Sequence, residues 1–181
     1  MQEGGFVSDF TITISGIDKA IKDLEAYKVS LVAKKREFMT KLAEIGIETA
    51  TLKFSTAQYD GDNDVIVQKT PEWIDENTLE IVASGTTVLF IEFGAGVHYT
   101  EQHPKADELG FTRGTYGQGK GSRDMWGYYG SAGTNGIVRT KADGSYVVLT
   151  HGNPPARAMY DTSKEMESKI LEIAKEVYGN G

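Results

Sequence analysis

Between Gly94 and Gly136, eleven residues are glycine, at 94, 96, 110, 114, 117, 119, 121, 127, 130, 133 and 136. Glycine weakens helices and strands alike, so no long regular element is expected across this stretch. The same stretch carries Tyr99, Phe111, Tyr116, Trp126, Tyr128 and Tyr129. Disordered segments are poor in aromatics, and a loop this long is usually functional when it is ordered. The chain must therefore build its regular structure on either side of a long glycine- and aromatic-rich insertion, placed at about 98–136.

On the N-terminal side, residues 9–15 alternate apolar and hydroxyl side chains, with Phe10, Ile12 and Ile14 on one face of an expected strand. Ile17, Ala20, Ile21 and Leu24 fit a short amphipathic helix to about Tyr27. A second, longer helix is expected from about Ser30 to Ser55. Its apolar stripe is Leu31, Phe38, Leu42, Ile45, Thr49 and Leu52. Strands are expected at 64–70, 78–84 and 87–93, with Pro71 ending the first and Ser84-Gly85-Thr86 turning between the other two. The run 87–93 is the most apolar in the chain and reads as the central strand.

Beyond the insertion, 137–140 and 146–150 flank Asp143-Gly144, a hairpin signal. A final helix follows, capped by Asn153, with a stripe of Met159, Ser163, Met166, Ile170, Ile173 and Val177. These elements amount to one α+β domain over residues 1–181: an antiparallel sheet packed on a long helix and a C-terminal helix.

Composition narrows the function classes. The chain has no cysteine, which excludes disulfides, thiol catalysis and cysteine-ligated metals. Nineteen basic residues face 26 acidic ones, a net charge of −7 that disfavours a free nucleic-acid binder. An acidic wall would still let a duplex pass without adhering. The first residues lack the basic and apolar regions of a signal peptide, and no apolar run approaches a membrane span. Synthesis and assembly in the cytoplasm, without a membrane partner, are the expectation.

Candidate chemistry fails on particular residues. Gly114, Gly119 and Lys120 fit a phosphate-binding loop, but Gly121 stands where a hydroxyl is required and Ser122 comes one place late. His98, Glu101 and His103 lack the i, i+4 spacing that places two imidazoles on one helical face. Glu92, inside the apolar run, is the most interesting carboxylate: a general acid with a raised pKa, a partner for a base, or a residue pointing off the strand. No second carboxylate is placed beside it. No cofactor, metal or catalytic residue is assigned. The rival enzymatic reading is a nucleotide- or metal-dependent hydrolase using Lys120 or His98 and His103.

Three segments together resemble the neck or tail-completion proteins of long-tailed bacteriophages. They are Ile14-Ser-Gly16-Ile17-Asp18, Phe90-Ile91-Glu92-Phe93-Gly94-Ala95-Gly96, and Asn153-Pro-Pro-Ala156-Arg157-Ala158-Met159. The family's Pro-Val-Asp-Thr-Gly-like stretch is absent at Ala57 to Asp62, and the insertion exceeds the short loop of smaller members. The resemblance implies a non-enzymatic virion subunit forming a ring, with sixfold symmetry expected, at the head–tail junction of a phage or of a prophage-derived tail-like particle. Its expected partners are other copies of itself, a portal, adaptor or head-completion protein, and a tail terminator or tail tube protein, with DNA passing through the centre. The expected interface residues are Phe10, Ile12, Ile14, Glu92, Phe93, Tyr99, Phe111, Tyr116, Trp126, Tyr128 and Tyr129. Deleting residues 110–134 is expected to leave a folded monomer that fails to join heads to tails.

Overall fold

The computed structural model describes residues 16–99, 101–117 and 122–179. The expected strand at 9–15 lies outside them. The chain divides into two compact units, Met1–Glu37 and Phe38–Gly181. Helix α1 (Ile17–Ser55) crosses that boundary without a break. The expected pair of helices separated near Tyr27–Ser30 is thus one continuous helix. Its residues from Ile17 to Val32 are exposed, with Leu24 at 66% and Val29 at 71%.

From Phe38 onward α1 packs against α4 (Ala158–Tyr178). Phe38 meets Tyr178, Lys41 pairs with Glu176 at 2.6 Å, and Lys53 pairs with Asp161 at 3.0 Å. Rising numbers on one helix against falling numbers on the other make the two antiparallel. The buried stripe of α1 is Ala43, Gly46, Ala50 and Phe54, not the larger residues the periodicity selects; Leu52 is 61% exposed. At Gly46 a small residue wins because the Met166 and Ile81 side chains close over it. A Cβ on Gly46 would lie 2.7 Å from the Met166 sulfur and 2.5 Å from Ile81 Cδ1. On α4 the expected Ile173 and Val177 are buried, while Ile170 is 42% exposed and the N-terminal part of the helix buries Ala158 and Thr162 instead.

The expected strands 64–70 and 78–84 form one antiparallel hairpin with two short ladders. Strand β1 (Ile66–Val67) pairs with β4 (Ala83–Ser84), and β2 (Glu72–Trp73) pairs with β3 (Leu79–Glu80). Pro71, which has no N–H to donate, falls in the break between the ladders. The expected central strand is a helix, α2 (Val88–Phe93), entered after Gly85 at φ +149°. Hence 84–86 is no hairpin turn. Its N-terminus is held by Asp64, whose carboxylate accepts the N–H and hydroxyl of both Thr86 and Thr87 at 2.5–2.9 Å. Those bonds, the hydroxyl of Thr86 first, hold the Asp64 carboxyl well below its ordinary range.

A short helix α3 (Ala106–Leu109) follows. The second sheet has the order β5-β7-β6, with β5 (Trp126–Tyr128) and β6 (Ile137–Thr140) each antiparallel to β7 (Tyr146–Thr150). The hairpin read from Asp143-Gly144 is present, with Gly144 at φ +83°. The architecture is α+β, with its core at Ala50, Phe54, Ile91 and Ala158, where α1, α2 and α4 meet. Among the described residues no helix is long and apolar enough to cross a membrane.

Candidate functional site

Helix α4 begins without a cap of its own. Its first flanking residue, Arg157, sits in the left-handed region (φ 55°, ψ 36°) and gives no side-chain bond to the helix. Asn153, expected to be the cap, is buried and instead donates its amide to the Phe90 carbonyl at 3.0 Å. The cap comes from α2. The Glu92 carboxylate accepts the Met159 N–H at 2.8 Å and the Tyr160 N–H at 3.0 Å, two of the donors a helix start leaves unpaired. A carboxylate there is also favoured by the helix dipole.

The backbone closes the same joint. Ala156 N–H donates to Ile91 O and Arg157 N–H to Glu92 O, while Ala95 and Asn153 exchange two bonds of 2.9 and 3.2 Å. Gly94, at φ +85°, belongs there because a Cβ would lie 2.9 Å from Asn153 O and from Pro155 N. Both atoms are backbone and cannot give way.

His103 completes the surroundings of Glu92. Its Nδ1 accepts the Lys105 N–H at 3.1 Å, so its proton is on Nε2, 3.2 Å from Glu92 Oε1. The imidazole lies between Phe93 (4.4 Å between centroids) and Tyr160 (5.6 Å, edge-on). With side chains 1% and 6% exposed, the pair is sealed from water. Phe111 stacks on Phe93 at 4.5 Å, Tyr116 tilts against Phe90, and the Tyr116 hydroxyl donates to Gly94 O at 2.6 Å. Burial pushes that phenol up to about 12, so it remains a donor through the physiological range.

The other two histidines gather elsewhere. His98 Nε2 lies 2.5 Å from Asp124 Oδ1, and His151 Nδ1 lies 3.1 Å from the Asp124 carbonyl and 3.4 Å from its carboxylate. The His98 hydrogen bond chiefly, assisted by His151, holds the Asp124 carboxyl below its ordinary value. His98 and His103 are thus in different environments. Among the described residues no three His, Asp or Glu side chains are arranged to hold a metal. Gly119, Lys120 and Gly121 lie outside the described residues, as do Phe10, Ile12 and Ile14.

Beside the joint runs a groove of about 880 Å³, with Tyr59, Phe90, Tyr116, Trp126, Tyr128 and Tyr129 among its walls. Asp60 anchors one side. It is buried and accepts the Asn135 N–H at 2.7 Å and the Thr150 hydroxyl at 2.5 Å. Burial first, then the Asp60 charge, pushes the Tyr128 phenol up to about 12.

The aromatic residues expected at an interface therefore divide. Glu92 and Phe93 are buried within the joint, and Phe111 and Tyr116 are half-buried against α2. Tyr99, Trp126 and Tyr128 are also half-buried, while Tyr129 is 72% exposed. Asp60, Asp64 and Asp124, which organise the site, escaped sequence reasoning because their partners lie 22 to 90 residues away, and for the same reason Asn153 reads as a cap. No protein-family model, curated protein or solved structure matches the chain.

Proposed function

We propose that this protein is a structural virion subunit of a tailed bacteriophage or a related tail-like particle, forming a ring at the head–tail junction. One observation carries the reading: the Glu92-Phe93-Gly94 segment and the Asn153–Met159 segment, which bear the resemblance, are bonded to each other through Glu92. Two short motifs that meet in space form one structural feature. A resemblance resting on both is stronger than one resting on two unrelated fragments.

The surface is in keeping with work by contact. Ile17, Ile21, Leu24, Tyr27, Val29 and Val32 are all about half exposed or more on the first turns of α1. Apolar surface on that scale marks interaction sites. The proposed ring has six copies, joins the portal-side connector to the tail tube, and leaves a channel for DNA. Its location is the virion, reached from the host cytoplasm during assembly. A heterologous interface that closes on itself is the physical requirement.

Negative-stain electron microscopy of the purified protein tests this directly, with rings of uniform size expected. In a phage lacking the protein, separate heads and tails should accumulate and join on its addition. Joined, infectious particles formed without it would overturn the proposal.

A further inference from the structure

The three-stranded sheet has two edges, and they differ. We propose that edge strand β6 of one copy adds to edge strand β5 of the next, making a head-to-tail sheet that continues through the assembly. The inference rests on the ring reading for closure; the edge pairing itself rests on the geometry below.

Strand β6 is exposed on both faces: Ile137 is 46% and Val138 54% exposed, on opposite sides, and Arg139 and Thr140 are exposed as well. Its inward groups pair with β7 from Ile137↔Leu149 to Thr140↔Tyr146. Its outward N–H and C=O groups find no backbone partner among the described residues. β-branched residues at an uncovered edge are a template for another strand. Among the described residues Arg139 has no ion-pair or side-chain hydrogen-bond partner, so the edge offers a cation.

Strand β5 offers the complement. It borders the aromatic groove, where exposed Asp62 and the charge of buried Asp60 outweigh Arg123 and where Trp126 and Tyr128 supply apolar and π surface, Lys141 lying over the Tyr129 ring. Exposed apolar Ile137 and Val138 suit those rings, and Arg139 suits the exposed Asp62 carboxylate and a ring face. The charge difference between the edges favours β6 against β5 over either edge against itself, where like charges would meet.

Direction is settled by the topology. Both edges run antiparallel to β7, so they point the same way. Rotation about an axis roughly along the strands preserves that direction, so the junction is parallel. Six copies of a three-stranded sheet supply eighteen strands. At about 4.8 Å spacing and about 40° tilt, these close to a cylinder about 36 Å across, an open channel rather than a packed core.

Sedimentation of the full chain reads the test, using Arg139→Glu and Ile137→Lys, with Leu171→Lys (Leu171 is 73% exposed on α4) as a surface control. Circular dichroism melts confirm that all three stay folded. Wild type and the control should assemble, with association at least tenfold weaker in both β6 variants. If wild type assembles and either β6 variant assembles equally well, or if the control fails to the same degree, the edge pairing is overturned and the ring reading stands. Wild type that remains monomeric to millimolar concentration overturns both.

Discussion

At the scale of single residues, two carboxylates hold helix starts from outside the helices. Glu92 does so for α4 in a buried setting. Removing it strands two amides and leaves His103 without its acceptor, so Glu92→Ala should destabilise by about 2–4 kcal/mol. That loss appears as a melting point lowered by roughly 5–15 °C. A change under a few degrees would show the cap to be dispensable. Asp64, in the open, binds Thr86 and Thr87, the two residues that lead into α2, and its lowered pKa sets a pH signature. A carboxyl whose folded value lies below its unfolded value, about 3.9, stabilises the fold above that value. The contribution is lost as pH falls through the folded value, because only the unfolded chain takes up the proton at first. Asp64→Asn should therefore melt below wild type at pH 7, with the gap narrowing below about pH 4. A gap constant with pH would sink the assignment.

At the scale of elements, the insertion is part of the body. It supplies β5 to the sheet, and Phe111, Tyr116 and His103 to the cluster over α2. Deleting 110–134, expected from sequence to spare the fold, should instead abolish a cooperative melt. A sharp transition near the wild-type temperature would contradict this. The elements that sequence revealed are those whose signals are local: the 137–150 hairpin through Asp143-Gly144, the C-terminal helix, and the 64–84 hairpin interrupted at Pro71. The run 87–93 misled because Ile91, Glu92 and Phe93 are all buried. Its exposed side is itself apolar, with Leu89 36% exposed, so this short helix shows no polar face and its β-branched and aromatic residues read as a strand. Likewise α1 buries Ala43, Gly46 and Ala50, small residues that hydrophobic periodicity undervalues. The joint at Glu92 was visible only as an odd charge in an apolar run.

At the scale of the whole molecule, charge is unevenly shared. Residues 38–181 carry thirteen basic and twenty acidic side chains, the full −7 of the chain. Such a body repels duplex DNA, so a gel-shift assay at physiological salt should show no retardation. Clear retardation there would count against a wall past which DNA slides. The joint between α2 and α4 has a further consequence, for the order of folding events. Its bonds span 67 and 68 residues, and closing a loop of that length costs about 4 kcal/mol of chain entropy before any contact repays it. If the joint closes after the folding transition state, Glu92→Ala should speed unfolding and leave the folding rate near that of the wild type, measured by stopped-flow denaturant jumps. A chain released before Met159 lacks the donors that close it.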